Sequence, residues 1–321
     1  MPLLKEVAVF LMPGMPFWPY FAGTALLIIG LTQVLRNDLP QARGIDKAAV
    51  FGPLFFALPM GVFGAYHFAF SRVVETVVPS WMPGHLFWTY LVGFALIAAA
   101  LSITLNKHSV LAATLLSAML FSFVLLIHVP RLVANPGSRF ALAVLLRDLS
   151  FSGGALACAV ARADDWPKQL RNGITILVRY MIAVPALFFG VEHFLHPQYV
   201  PVIPLDRLMP SGIPAQWLIS YITGAVLIGA SLSIGLNRKA RAAATWLGIV
   251  VFVNVMIVYL PILWANLSDI AAGLNYFADT LAFAGGVLLL AEALPALDKA
   301  AVRSENEDRS GYASIQQGGE I

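Results

Sequence analysis

The sequence contains a single cysteine and few charged residues. Only 12% of its 321 residues are Asp, Glu, Lys or Arg, whereas 59% are hydrophobic; soluble domains are about 25% charged. The mean hydropathy of +0.80 predicts an all-α, polytopic integral membrane protein. Cys158 has no second cysteine to pair with. An internal disulfide is therefore excluded, and thiol–disulfide chemistry by this chain alone is disfavoured.

The chain also lacks the motifs of several enzyme and binding classes. It contains no phosphate-binding loop, no dinucleotide fingerprint and no serine-nucleophile elbow. The net charge of +3 does not indicate a nucleic-acid partner, because the basic residues fall mainly in loops between apolar runs, beside the membrane. No cleavable signal peptide is evident. The first apolar run has no basic segment before it and is long enough to span a bilayer.

Nine mostly apolar runs of about 20 residues predict nine membrane-spanning helices. They cover about residues 16–35, 49–70, 86–105, 109–129, 139–160, 174–195, 215–235, 242–263 and 273–295. Loops at one end of these helices carry Arg36, Arg43, Lys47, Lys107, Arg162, Lys168, Arg171, Arg238, Lys239, Arg241, Lys299, Arg303 and Arg309. The other end carries only Lys5, Arg72, Arg131, Arg139 and Arg207. The positive-inside rule then predicts that the N-terminus lies outside and the C-terminus in the cytoplasm.

The chain contains an internal repeat. The matching pairs are PMGVFGAYH and PALFFGVEH, YLVGFALIAAALSITLNK and YITGAVLIGASLSIGLNR, and RDLSFSGGALA and ADTLAFAGGVL, which begin at residues 59 and 185, 90 and 221, and 147 and 278. The offset grows after the first pair, so the second copy has about five extra residues in one loop. Each copy has four predicted helices, an even number. Both copies therefore cross the membrane in the same direction, related by an axis along the membrane normal.

The repeat divides the chain into five segments. They are an N-terminal helix and loop (1–48), a first four-helix unit (49–161), a linker (162–173), a second four-helix unit (174–296) and a polar tail (297–321). The tail is predicted to be disordered. MPGMPFWPYFAG near the N-terminus matches MPGHLFWTYLVG in the first unit, which indicates that the first helix is a remnant of a further copy.

Polar residues recur at the predicted outer end of both units. The pairs are His67 and His193, Tyr90 and Tyr221, His128 and Tyr259, and Asp148 and Asp279, and the second unit adds Glu192 and His196. An aspartate at the centre of a membrane helix costs about 2.5–3.5 kcal/mol, so this pair is the strongest signal. The aspartates either bind protons or a ligand in the bundle interior, or bond a partner His or Tyr to lock the bundle. If one site is active, the additional residues favour the second.

Three features near these residues bear on the site. Arg147 precedes Asp148 and could pair with it, whereas the second unit has Ala278 at that position. Gly-Gly steps follow each aspartate, and small residues let membrane helices approach closely. The proline-rich loops VVPSWMPG and HPQYVPVIPLDRLMPSGIP are predicted to fold back over the polar cluster.

A metal site is a weaker hypothesis. Glu192 and His196 are four residues apart and share one helix face. With Asp279 they would offer carboxylate and imidazole donors suited to Zn, Fe or Mn. Pro197 ends the helix directly afterwards. An interfacial histidine bonded to Tyr221 or Asp279 is therefore the favoured interpretation.

Several motifs resemble the DoxX/DoxD-like family of four-helix bacterial membrane proteins. They are a helix ending in GVEHF, a loop with a Pro-x-x-x-Pro step (PSWMP, PSGIP), a helix YxxGxxLIxAxLSI and a helix with (R/A)D-x-x-x-x-(G/A)G. The resemblance covers both units and implies two tandem DoxX-like four-helix bundles in the bacterial inner membrane. The family name comes from a subunit of a thiosulfate:quinone oxidoreductase.

The resemblance implies a non-catalytic or accessory subunit in quinone-linked redox or envelope functions. Quinone is the cofactor it implies, and membrane lipid and a membrane redox protein are the implied partners. Two alternatives come from the residues themselves. One is a small-molecule or proton-coupled transporter that uses the His/Asp pairs as two pseudo-equivalent sites. The other is a lipid- or quinone-modifying enzyme with His193 and Asp279 as acid/base groups.

Overall fold

The computed structural model describes residues 17–295. In that part of the chain, nine helices are long and apolar enough to cross a membrane, which confirms the predicted all-α polytopic fold. Their regular α-helical parts are α1 (Phe17–Gln33), α2 (Gly52–Ala69), α3 (His85–Thr104), α4 (Ser109–Phe123), α5 (Arg139–Arg162), α6 (Lys168–Leu195), α7 (Gln216–Gly235), α8 (Ala240–Asn254) and α9 (Leu274–Ala293). The tail predicted to be disordered, 297–321, lies outside the described residues.

Helices α4 and α8 continue past a wider π turn at equivalent positions. The turns are Val124–His128 and Val255–Tyr259, and each leads into a further short helix, Val129–Ala134 or Leu260–Ala265. A proline stands second in both short helices. Proline has no backbone N–H and crowds the preceding turn, and a π turn accommodates this change within a helix. The repeat thus places His128 and Tyr259 at the same point in each unit.

The helices of the two units interlock. Each of α2 to α9 packs along the next, and α9 packs along α2, so these eight helices form a closed ring. Helices α5 and α9 also pack along each other across the middle, whereas α2 and α5 barely touch. The first unit is therefore completed by α9 of the second, and the second unit by α5 of the first. Helix α1 lies against α2.

Glycines permit the close central packing. A Cβ atom added to Gly154 of α5 would lie 2.7 Å from the Cα of Gly286 in α9. One added to Gly285 would lie 2.3 Å from the backbone nitrogen of Phe56 in α2. Real Cβ atoms do not approach so closely, so α9 can lie between α5 and α2 only with these small residues. The Gly-Gly steps seen in the sequence mark this crossing.

A second type of glycine contact positions the repeated histidines. A Cβ atom on Gly93 of α3 would lie 2.8 Å from the Cβ of His67 on α2. The same distance separates a Cβ on Gly224 of α7 from that of His193 on α6. In both units, the glycine of the second helix thus lies directly against the histidine of that unit's first helix. We refer to this end of the molecule as the His67 end and to the opposite end as the Thr104 end.

Candidate ligand-binding site

One arginine joins the two repeated aspartates at the His67 end. The Nε atom of Arg147 donates to Asp148 Oδ1 at 2.9 Å, and its Nη2 atom forms an ion pair with the same oxygen at 2.8 Å. Its Nη1 atom donates to Asp279 Oδ2 at 2.9 Å. His128 Nε2 lies 2.7 Å from Asp148 Oδ2, and since the carboxylate accepts, Nε2 is the donor. The aspartates of the two units thus form one shared cluster.

The shared cluster is largely enclosed. Asp148 and Asp279 are each 8% exposed, and His128 is 7% exposed. Buried charges persist when they are paired and hydrogen-bonded. Because α5 supplies the guanidinium and α9 one of the carboxylates, the cluster ties the first unit to the second. This geometry agrees with the interpretation that the aspartates lock the bundle, and it places them at the edge of a cavity as well.

A cavity of about 650 Å³ lies beside the charged cluster. Helices α2, α3, α4, α5 and α9 surround it, and residues of the loop after α2 cover it. Most of its wall is apolar, including Met60, Phe63, Leu96, Met119, Leu120 and Phe151. Its polar groups include His67, His128, Arg147, Asp148, Asn275 and Asp279. Its size and its few polar groups are typical of a small-molecule site.

Two residues on the polar side of this cavity carry unpaired hydrogen-bond acceptors. His67 Nδ1 lies 2.7 Å from the Phe63 carbonyl oxygen. A carbonyl only accepts, so Nδ1 carries the proton, and Nε2 of the neutral ring is then an acceptor. Within residues 17–295, that Nε2 has no hydrogen-bond partner, and the buried Oδ1 of Asn275 has none either. A ligand with a hydroxyl or N–H group would satisfy these atoms.

In the second unit, the chain itself occupies the corresponding position. His193 Nδ1 donates to the Phe189 carbonyl at 2.5 Å, while its Nε2 accepts from the backbone N–H of Val202 at 2.8 Å. The hydroxyl of Tyr259, the counterpart of His128, donates to the Pro201 carbonyl. The loop between α6 and α7 therefore fills the space beside His193. The sequence favoured the second unit for a single active site, but the open cavity lies in the first.

Arg139, at the start of α5, holds this inserted loop. Its Nη1 donates to the Pro204 carbonyl at 2.5 Å, and its Nη2 to the Leu205 carbonyl at 2.9 Å and Asp206 Oδ1 at 2.6 Å. It also pairs with Glu192 Oε2 at 3.4 Å. Glu192 thus helps to anchor the loop. This role is not evident from the sequence, because Arg139 has no counterpart in the repeat and stands among the loop cations.

The two repeated tyrosines lie outside the cavity. Tyr90 stacks on Phe68 and Tyr221 stacks on Phe194, in both cases with ring centroids 5.6 Å apart and an interplanar angle of 14°. Their exposed fractions are 40% and 38%. Tyr90 also donates to Ser71 Oγ at 3.4 Å. In both units, the repeated tyrosine thus stacks on the phenylalanine that follows the repeated histidine.

The three residues considered for a metal site do not come together. His196 Nε2 lies 3.9 Å from Glu192 Oε2, but Asp279 is bonded to Arg147 in the shared cluster. In the described part of the chain, no group of three or more His, Cys, Asp or Glu side chains is arranged to hold a metal ion. His196 is instead a half-buried neighbour of Tyr199, with the two ring centroids 6.0 Å apart.

No protein-family model, curated protein or solved structure matches this chain. The interpretation of the site therefore stands on its geometry. Two geometric features carry it, namely the charged cluster shared between the units and the cavity beside that cluster.

Proposed function

We propose that this protein binds a lipophilic small molecule of the quinone class in the first-unit cavity. In this proposal it is a DoxX-like accessory subunit in membrane redox or envelope functions. The observation that carries the proposal is the polarity of the cavity, which has a mainly apolar wall and a group of polar side chains. A quinone matches that polarity with an apolar tail and a ring that bears two oxygen atoms.

The free atoms of the polar side suggest how the ring is recognised. In the second unit, a backbone N–H of the inserted loop satisfies His193 Nε2. The corresponding residue of the first unit, His67, lines the cavity, and its Nε2 has no partner among residues 17–295. A ligand in this position would donate a hydrogen bond, as a quinol hydroxyl does. The repeat thus supports a ligand head that carries at least one donor.

The surroundings of the cavity support a site within the membrane. Large apolar side chains cover the outer faces of α3 and α4, where Phe94, Leu111 and Leu115 are 67%, 62% and 61% exposed. Such faces contact membrane lipid. The excess of basic residues at the Thr104 end supports the proposal that this end is cytoplasmic and that the cavity lies toward the outside of the inner membrane. A membrane redox protein is the partner that this function requires.

Purification from native-type bacterial membranes tests the proposal. We expect extraction and mass spectrometry to find about one quinone or quinol per wild-type chain. His67→Ala should reduce this occupancy about tenfold or more, because it removes a polar contact of the ligand. His85→Ala is the matched control, since this histidine is at the same end but does not line the cavity.

A second measurement tests binding even if the native ligand is lost during purification. A decyl-tailed benzoquinone or its quinol, added to protein in nanodiscs, should raise the melting temperature of the wild type and of His85→Ala but not of His67→Ala. If no quinone is extracted and neither compound stabilises the wild type, quinone binding is excluded.

The geometry favours one alternative, a lipid- or quinone-modifying enzyme. His67 Nε2 is an unpaired acceptor at the cavity, and such an atom can serve as a general base. The residue proposed from the sequence for this role, His193, is engaged by the backbone of Val202. Incubation with the quinol followed by mass spectrometry separates the two functions. A binding protein returns the added compound unchanged, whereas an enzyme returns a product.

Transport through two pseudo-equivalent sites fits the geometry less well. That hypothesis assigned one carboxylate to each unit. Both carboxylates are instead held by the single guanidinium of Arg147, so the units do not form separate His/Asp sites.

A further inference from the structure

A second cavity, of about 470 Å³, lies at the Thr104 end of the molecule. It is bounded by the end of α1, the start of α2 and the end of α3, and its polar lining includes Gln33, Asn37, Asp38, Thr104, Lys107 and Glu292. Along α3, the nearest lining residues of the two cavities are Leu96 and Ile103, which are about 10 Å apart at 1.5 Å per residue. The two cavities share no lining residue, so what is proposed for this cavity does not rest on the function proposed for the first.

Thr104 lines this cavity and carries an unsatisfied hydroxyl. The residue is 6% exposed, and its buried Oγ1 has no hydrogen-bond partner in the part of the chain that the structure describes. Buried polar atoms normally have a partner. Thr104 is also the last residue of α3, where carbonyl groups lack partners within the helix and the helix dipole places partial negative charge. This lining favours a cation that donates hydrogen bonds.

The second unit shows which group satisfies the same helix end there. Arg179 of α6, which is 8% exposed, donates from Nε to the Ile234 carbonyl at 2.9 Å and from Nη2 to the Gly235 carbonyl at 2.7 Å. These carbonyls belong to the last two residues of α7, the counterpart of α3. A guanidinium cation therefore covers this helix end in the second unit.

The first unit has a proline where the second has this arginine. The repeat aligns Arg179 with Pro53 and aligns the α7 end with Ile103 and Thr104. All three first-unit residues line the cavity. Proline has no side-chain donor. The cavity thus occupies the place that a guanidinium fills in the other unit.

Charged groups around the cavity fit the same ligand. Arg162 pairs with Glu292 at 3.4 Å. The guanidinium of Arg162, which also lines the cavity, attracts the Asp38 carboxylate electrostatically. No ion pair within 4 Å joins the Asp38 carboxylate or the Lys107 ammonium to another residue among 17–295. Asp38 would pair with a bound cation. Lys107 would pair with an anionic group attached to it.

We propose that this cavity binds an ammonium or guanidinium group that takes the place of the Arg179 guanidinium. The cation donates to the end of α3 and to Thr104 Oγ1, and Asp38 balances its charge. The ethanolamine headgroup of a phospholipid would supply such a cation together with a phosphate for Lys107. A free small amine would supply the cation alone.

Nanodiscs of defined composition distinguish these sources. In the lipid arm, full-length protein is placed in phosphatidylglycerol nanodiscs that contain phosphatidylethanolamine or phosphatidylcholine, and bound lipid is counted by native mass spectrometry. In the free-amine arm, ethanolamine or agmatine is titrated into pure phosphatidylglycerol nanodiscs and followed by thermal stabilisation. Saturable binding in either arm, with phosphatidylethanolamine preferred over phosphatidylcholine in the first, supports the cation site.

Three variants locate the binding. Thr104→Val and Asp38→Asn should each weaken it about tenfold, because each removes one hydrogen-bond or charge partner of the cation. Thr175→Val is the matched control, since that hydroxyl bonds its own helix at Arg171 and does not line the cavity. No binding in either arm overturns the proposal, as does binding that Thr104→Val and Asp38→Asn leave unchanged.

Pro53→Arg tests the comparison between the units directly. The new side chain should place a guanidinium in the cavity and abolish binding of the amine or lipid. Stabilisation by the decyl-tailed quinol at the His67 end, where it occurs in the wild type, checks that this variant is folded. The melting temperature gives the same check if the quinol does not bind. A folded Pro53→Arg protein that binds the cation with wild-type affinity would refute the assignment.

Discussion

Arg147 on α5 donates to Asp279 on α9 at 2.9 Å, across the boundary between the two repeats. The same guanidinium also holds Asp148 on its own helix. The second unit has Ala278 at the position of Arg147, so one cation serves both carboxylates. This contact links the stability of the assembled helices to the polar side of the open cavity.

Removal of this cation should destabilise the protein strongly. Arg147→Met keeps an unbranched side chain of similar length but leaves two buried carboxylates without their charged partner. We expect a loss of about 3–5 kcal/mol in the free energy of unfolding. Reversible unfolding in mixed detergent micelles, followed by circular dichroism, measures this difference.

A triple variant shows whether the loss comes from the unpaired charges. Arg147→Met combined with Asp148→Asn and Asp279→Asn has no buried charge at these positions. It should recover most of the lost stability, because the cost of an unpaired buried charge is then absent. If the single variant is as stable as the wild type, the bridge does not hold the units together.

The close crossing of α9 and α2 provides a second prediction. Gly285→Ala places a Cβ atom 2.3 Å from the Phe56 backbone nitrogen, so the helices must separate. We expect a loss of about 1–3 kcal/mol, as in other overpacked cores. Gly229→Ala is the control, because no atom lies within 4 Å of its added Cβ, and its higher helix propensity should leave stability unchanged or raised by up to about 1 kcal/mol. Equal melting temperatures for the two variants would contradict the crossing.

The loop that fills the second unit should depend on Arg139. Arg139→Gln removes the charge that bonds two loop carbonyls and Asp206. Hydrogen exchange of the Val200 and Val202 amides should then accelerate about tenfold or more, since charge-assisted hydrogen bonds are lost. Arg131→Gln is the control, because that exposed side chain has no ion pair in the described structure. Unchanged exchange in the Arg139 variant would show that the loop is held by its apolar contacts alone.

Hydropathy predicted where the membrane-spanning helices lie. It predicted their first and last residues less accurately. Helix α3 was predicted over 86–105 and runs from His85 to Thr104. Helix α6 was predicted over 174–195 but begins at Lys168. Its first turns, KQLRNG, are polar, so a hydropathy pattern ends before them although the backbone continues as a helix. A span predicted in this way marks the apolar part of a helix and not its full length.

The sequence allowed the residues of the site to be predicted within each repeat, but not their contacts between repeats. Comparison of the copies identified His67, His193, Asp148 and Asp279 as residues of one end, and the structure agrees. It gave no information on which helices of different units meet, so Arg147 appeared to be a local partner of its neighbour in sequence. The sequence also did not reveal that the loop between α6 and α7 fills the space beside His193 in the second unit. The only sign of this filling was the longer loop, and loop length does not reveal where backbone donors lie.

The interlocked ring has a consequence for how the two units can differ. A homodimer of one unit would show every feature twice. A loop long enough to fill one cavity would fill both, and an arginine at the position of Arg147 would bring two guanidinium groups to the same pair of carboxylates. Joining the units in one chain removes that restriction. One half can then serve as a closed scaffold while the other keeps an opening, and the molecule gains a direction in the plane of the membrane that a symmetric pair lacks.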